Sequence, residues 1–232
     1  GFGLISTIGG EASRDIVDGA LQALSRMAHR GGIAADGLSG DGCGVLLVGI
    51  EAFVRTLAAE SGFVVTGTQL AAGMVFLPHE ATAAAQCRET LSAQLAALDV
   101  RTLGWREVPL DTEALGQLAL SSLPRVAQVF VEADGDDAPA FERALYLARR
   151  RAEQALREVA DFYVVGLTPG LLGYKGMVLP SHLTQLFPDL AREDLAAKTV
   201  VFHQRFSTNT LPRWPLAHPF RRLAHNGEIN SI

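Results

Sequence analysis

Between Met74 and Leu167 the chain alternates short apolar runs with longer amphipathic ones, and this rhythm limits the folds open to it. Met74–Leu77, Arg101–Val108, Arg125–Val131 and Phe162–Leu167 are brief and rich in β-branched or aromatic residues, as strands are. Glu80–Leu98 and Phe141–Val159 carry apolar residues at helical spacing. The resulting order, β-α-β-β-α-β, is the split βαβ pattern. It predicts a subdomain over roughly residues 70–168, inserted in a larger α+β core. The acidic, glycine-containing Ala133–Pro139 reads as an exposed loop within it.

The flanking segments supply that core. Phe2–Ile8 reads as a buried strand. Ser13 or Asp15 then opens a helix with Ile16, Val17, Ala20, Leu21, Leu24 and Met27 on one face, stopping at Gly31-Gly32. Val45–Ile50 is a second buried strand, so Arg30 is expected at a helix end near the start of the first strand. Leu171–Val178 and Thr199–Phe206 read as strands returning to the core, with Ser181 capping a short helix that ends near Pro188.

Composition narrows the function classes. With 48% hydrophobic and 19% charged residues, the 232-residue chain can bury a sizeable core, as one large domain or a core with an embedded subdomain. A net charge of −5 offers no basic footprint for nucleic acid. No apolar run reaches a membrane span, and Phe2–Ile8 is short and lacks a basic leader, so a cytoplasmic protein is expected. Cys43 and Cys87 read as free thiols in a reducing compartment. The six histidines show neither i, i+4 pairing nor a Cys-x-x-Cys partner, so no metal site is expected.

Two polar clusters near the end carry chemistry. Phe202-His203-Gln204-Arg205-Phe206-Ser207-Thr208-Asn209-Thr210 places a guanidinium on an apolar strand, suited to a two-pronged grip on a carboxylate. His225-Asn226-Gly227-Glu228-Ile229-Asn230 sets a side-chain amide beside an unshielded glycine N–H, the donor pair an oxyanion hole requires. On its own, Asn226-Gly227 reads first as a hairpin turn, which this dipeptide strongly favours. Asp36 and Asp41 lie among glycines and read as turn residues bonding their own backbone. Cys43 runs directly into an apolar strand and reads as a buried, inert thiol.

These residues also resemble a known family, the class II glutamine amidotransferase (glutaminase) domain of the glutamate synthase large subunit. The resemblance rests on both tail clusters, on Gly1-Phe2-Gly3-Leu4-Ile5, on Ala28-His29-Arg30-Gly31-Gly32 with Ala35-Asp36-Gly37 and Gly40-Asp41-Gly42-Cys43-Gly44, and on Tyr174-Lys175-Gly176-Met177. It runs in order from residue 1 to 232 and implies a four-layer αββα sandwich of the N-terminal-nucleophile hydrolase type. It implies a nucleophilic cysteine immediately before Gly1, where this sequence has no residue. It assigns Asn226 and Gly227 to the oxyanion hole, Arg205 to the glutamine α-carboxylate and Arg30 to a place beside the nucleophile, while Thr208 reads equally as a substrate hydrogen bond or as a packing or turn residue.

The chemistry so implied is glutamine hydrolysis through a γ-glutamyl thioester, with ammonia passing to 2-oxoglutarate in a synthase domain of the same polypeptide. No cofactor is expected within these residues. FMN and an iron–sulfur cluster belong to other domains, and an NADPH-oxidising small subunit is the implied bacterial partner. The Tyr174–Met177 tetrad is a candidate for a face toward the synthase domain. The alternative is a catalytically silent amidotransferase-like module that binds glutamine or serves assembly.

Overall fold

Among the residues described by the computed structural model, 1–205 and 211–221, eight strands form two four-stranded sheets. In chain order the elements are β1 (Phe2–Ser6), α1 (Arg14–Arg26), β2 (Ser39–Val48), α2 (Glu51–Glu60), β3 (Gln69–Leu77), α3 (Ala81–Ala96) and β4 (Arg101–Glu107). They continue with α4 (Gln117–Ser121), β5 (Arg125–Ala133), α5 (Ala138–Ala155), β6 (Tyr163–Thr168), β7 (Leu171–Val178), α6 (Leu183–Leu186) and β8 (Thr199–Gln204). The chain divides into two units: Gly1–Gly49, Pro109–Leu123 and Gly173–Ile232 form one, Ile50–Val108 and Pro124–Leu172 the other.

The first unit holds the sheet β1-β8-β2-β7. Its inner strand β8 runs antiparallel to both neighbours, with Leu4 opposite Val201 and Val45 opposite Phe202. Helix α1 starts where expected. Ser13 is extended and its side chain accepts the Asp15 N–H, meeting one of the donors a helix start leaves open. Val17, Ala20 and Leu24 are its buried stripe. The α-helix stops at Arg26, before Gly31-Gly32, and a 3-10 turn over Ala28–Arg30 carries the chain on. Ser181 does not cap α6. It lies inside a 3-10 turn opened by Pro180, and the residue at the helix start, His182, makes no side-chain cap.

The second unit holds the sheet β4-β5-β3-β6, its registered pairs all antiparallel. Ala84, Cys87, Leu91 and Leu95 of α3 and Phe141, Leu145, Ala148 and Ala152 of α5 bury against Val75, Leu77, Ala127, Val129 and Val131. Glu80 caps α3 by accepting from Thr82 N and Ala83 N, and Asp137 caps α5 through Ala140 N. Buried Glu132 accepts from Thr66 N (2.8 Å), Gly67 N (2.6 Å) and Arg101 Nε (2.9 Å). Burial pushes this carboxyl up, but those bonds outweigh it and hold it below the usual range. Helix α2, which buries Phe53, Val54, Leu57 and Ala58, is an element the sequence reading had not assigned.

Candidate active site

One end of the β1-β8-β2-β7 sheet gathers most of the chemistry. Gly1 and Gln204 exchange both backbone hydrogen bonds at 2.7 Å, extending the pairing of Phe2 with His203. A residue preceding Gly1 would carry β1 on toward the point where the chain leaves β8 after Gln204. The Arg30 side chain closes the other flank, its Cγ 3.7 Å from where a Cβ on Gly1 would lie.

Arg205 is not on the strand. Strand β8 ends at Gln204, and Arg205 turns away with a φ of 75°. For a residue with a Cβ that conformation costs about 1–2 kcal/mol, and it is held by the Arg205 N–H bond to Gly42 O at 3.0 Å. The turn brings Arg205 Nε to 3.6 Å from Asp41 Oδ2. Nε itself is buried while the side chain as a whole is 42% exposed, so the remainder of the side chain faces outward. Asp41 sits in β2 rather than in a turn. Burial raises its carboxyl pKa, opposed by the Gly32 N–H and the Arg205 charge. Asp36 is the residue that behaves as a turn carboxylate. It accepts from Leu38 N, Ser39 N and the Ser39 hydroxyl, and also from Leu118 N at the start of α4.

Three buried polar atoms meet here without a hydrogen-bond partner among the described residues: Asp41 Oδ1, Gln204 Oε1 and Arg205 Nε. An unsatisfied buried polar group costs about 1–3 kcal/mol, so the three together are a concentrated polar demand at this end of the sheet. The glycines frame it. A Cβ on Gly31 would stand on the Gln204 amide, and one on Gly32 would come to 3.2 Å from Asp41 Oδ2.

The Gly40–Gly44 run has a second use. Trp214, Pro215, Ala217 and His218 form a strap across β2 and β7. Ala217 lies against Gly42, the His218 carbonyl over Gly44, and the Trp214 ring over Gly176. Trp214 Nε1 donates to Ala119 O at 3.2 Å. Below the strap Lys175 is only 2% exposed, donates to Pro215 O at 2.8 Å and faces the Phe220 ring at 4.4 Å. Burial lowers its pKa to about 7. The Tyr174–Met177 tetrad is therefore not an outward face. Tyr174 and Met177 are buried as well, and the Tyr174 hydroxyl donates to Asp189 Oδ2 at 3.0 Å.

His203 stacks on His218 with centroids 4.4 Å apart. Burial lowers both to a pKa of about 4, and for His218 the neighbouring His203 and Lys175 add to the effect. The folded state thus keeps both rings neutral where the unfolded chain would bind protons. Stability from this pair is complete above 6.5, the unperturbed value, and is lost as pH falls toward 4. Urea midpoints should drop across that window, and a His203→Gln/His218→Gln double variant should flatten the decline. A decline of equal size in the variant would assign it to other groups.

Of the expected site residues, the structure brings Arg30 and Arg205 together with the start of β1. Thr208, Asn226 and Gly227 lie outside the described residues. Asp41 and Gln204 are additions. An acidic residue two positions before an apolar strand was the available signal for Asp41, and its glycine neighbours obscured it. Cys43 is fully buried, donates to Val178 O at 3.2 Å, and burial pushes its thiol up, the surroundings of an unreactive thiol.

Residues 1–232 match the family model described as glutamine amidotransferases class-II, and the chain belongs to that family. Among curated proteins it is 38% identical to the glutamate synthase (NADPH) large chain of Azospirillum brasilense over 236 residues, covering 100% of this chain and 16% of that protein. It is also 38% identical to the ferredoxin-dependent glutamate synthase 2 of Synechocystis sp., covering 100% of this chain and 15% of that one. The glutamate synthase (NADPH) large chain of Bacillus subtilis is 36% identical, with coverage of 100% and 15%. The chain thus spans about a sixth of the length of these relatives.

Proposed function

We propose that this chain is the glutamine-hydrolysing part of a glutamate synthase. The observation that carries this reading is the convergence of the β1 start, Arg30, Asp41 and Arg205 around three unpartnered buried polar atoms. In this reading Arg205, backed by Asp41, holds the α-carboxylate of glutamine, and the γ-amide lies against the residue preceding Gly1. A thiol there loses its proton to the adjacent α-amine and its sulfur attacks the amide carbon. The oxyanion is met by the Asn226 side-chain amide and the Gly227 N–H. The proton passes to the departing nitrogen, ammonia leaves, and water hydrolyses the thioester to glutamate.

The sheet β1-β8-β2-β7 would be one layer of a four-layer αββα sandwich, and the second unit an inserted split βαβ module, as its strand order supports. Ammonia would pass to 2-oxoglutarate in synthase domains of the same polypeptide, with FMN and an iron–sulfur cluster held there. These residues do not fit such a cluster. It takes several thiolates, whereas this chain has two cysteines, both buried and one in each unit. A small subunit oxidising NADPH would supply electrons, in the cytoplasm.

Intact mass, N-terminal sequencing and labelling of the full-length protein with an electrophilic glutamine analogue test the reading. One equivalent of label should attach to a cysteine directly before Gly1, and glutamine should protect it. Label on Cys43 or Cys87 would overturn the assignment. Glutamine binding without labelling would make the protein a non-hydrolytic glutamine-binding module.

A further inference from the structure

The turn that leads into β2 fastens a second segment of the same unit. The Asp36 carboxylate divides its two oxygens between two tasks. Oδ1 accepts the Leu38 N–H at 3.1 Å and the Ser39 N–H at 2.8 Å, the bonds that fold its own turn. Oδ2 accepts the Ser39 hydroxyl at 2.6 Å and the Leu118 N–H at 3.0 Å, in the first turn of α4. The fully buried Ser39 oxygen in turn accepts the next donor of that helix, the Ala119 N–H, at 3.0 Å. Helix α4 begins after Gly116, which has no side chain to cap it. Two of the donors that a helix start leaves open are thus met by residues 82 and 80 positions away in the chain. Gly116 permits the approach, since a Cβ there would stand 2.5 Å from Asp36 Oδ2 and 2.6 Å from Ser39 N. The Ser39 hydroxyl first, then the Ser39 and Leu118 N–H groups, hold the Asp36 carboxyl below the usual range, so it is ionised and accepts at both oxygens.

From α4 the contacts run on to Arg205. Ala119, whose N–H Ser39 caps, uses its carbonyl to accept Trp214 Nε1–H at 3.2 Å. That bond anchors the strap, which lies in a trough left open by glycines. The Trp214 ring sits over Gly176, and Ala217 lies against Gly42, where a Cβ would come to 3.2 Å from Ala217 Cβ. The Gly42 carbonyl accepts the Arg205 N–H at 3.0 Å and holds that residue at its φ of 75°. We propose that Asp36 is a positioning residue for glutamine binding: with Ser39 it seats α4, α4 seats the strap, and the strap steadies the Gly42–Arg205 bond that aims the guanidinium. This rests on the carboxylate reading of Arg205 above. The turn alone needs one acceptor at Asp36, which asparagine would supply as well; the second carboxylate oxygen is the one that reaches α4.

The test is Asp36→Asn in the full-length enzyme, read as steady-state ammonia release from glutamine. The amide keeps one acceptor for the turn and sets a donor against the Leu118 N–H. Residues that act on a site through intervening contacts change affinity by up to about 30-fold. KM should therefore rise about 3- to 30-fold while kcat stays within about 3-fold. Gly37→Ala strains the same turn, yet its methyl meets nothing within 4 Å, so KM there should stay within about 2-fold of the parent. Trp214→Phe keeps a ring in the strap but has no N–H for Ala119 O, and it should raise KM in the same sense as Asp36→Asn. Because both act along one path, the double variant Asp36→Asn/Trp214→Phe should raise KM no further than the more severe single change. A KM rise below about 3-fold in Asp36→Asn, an equal rise in Gly37→Ala, a loss confined to kcat, or multiplied effects in the double variant would overturn the proposal. If Arg205→Ala leaves KM intact, the carboxylate reading itself fails. If Arg205→Ala raises KM and Asp36→Asn does not, that reading stands and the role of Asp36 falls. Should Asp36→Asn not fold, Trp214→Phe decides alone, and an unchanged KM there breaks the path and overturns the idea.

Discussion

Arg205→Ala should lower kcat/KM for glutamine about 10³-fold, most of it through KM, and Arg205→Lys should recover no more than about a tenth of the lost activity. Truncating one partner of a close charge pair costs about 2–5 kcal/mol, and each 1.4 kcal/mol is tenfold in an equilibrium constant. Lysine restores the charge without the planar fork, so a carboxylate gripped by two parallel N–H groups is not held. The geometry also predicts a secondary loss, because partly buried Asp41 lies 3.6 Å from Arg205 Nε and would be left without that cation. Steady-state ammonia release checks this, run beside an amide substrate that lacks the α-carboxylate. The parent enzyme should discriminate strongly between the two substrates and the Arg205→Ala variant hardly at all. A KM for glutamine within about 3-fold of the parent would remove Arg205 from the carboxylate site.

Two of the side chains that meet at the start of β1 were legible in the sequence. Arg205 and Arg30 stand out because a charge inside or beside an apolar run needs a partner or a purpose. Helix α1 announced itself through Ser13 and its buried stripe. The glycines were harder. A glycine that frees a turn and one that lets another segment cross close by look identical in sequence. Gly40, Gly42 and Gly44 suggested turns, whereas they lie in β2, under β7 and the strap. That misassignment carried Asp41 with it, since an aspartate among turn glycines has an ordinary local explanation. Helix α2 escaped because only Gly49 and Ile50 separate it from β2, and the apolar run Val45–Ile50 reads as strand up to the helix start. Lys175 gave no sequence signal of burial. Only the pairing of β7 beside β2, far apart in the chain, places it beneath the strap.

The glycine trough supplies the other large effect, and it concerns stability and turnover together. A Cβ at Gly44 would stand 2.5 Å from Lys175 Cβ, 2.6 Å from Tyr174 O and 2.8 Å from His218 O. The second of these atoms is backbone of β7, where Tyr174 is fully buried and bonded to Asp189, so that side cannot yield. The third is backbone of the strap, which can lift only by giving up the Lys175 bond to Pro215 and the His203 stack. Gly44→Ala should therefore destabilise the fold by about 3 kcal/mol, the upper end of ordinary overpacking. It should also cut glutamine turnover about 10²-fold in whatever fraction stays folded, because a displaced strap disturbs Ala217 against Gly42, whose carbonyl holds the Arg205 N–H. Gly37→Ala is the matched control. Its φ of 75° is strained for alanine, but nothing lies within 4 Å of the new methyl, so its cost is backbone strain alone. Urea melts should separate the two variants by at least about 1 kcal/mol, with Gly44→Ala the weaker. Ammonia release per folded molecule should fall in Gly44→Ala and hold near the parent value in Gly37→Ala. Equal stability loss with equal turnover in both would mean that these glycines serve only their own backbone, and that the strap does not depend on the path they clear.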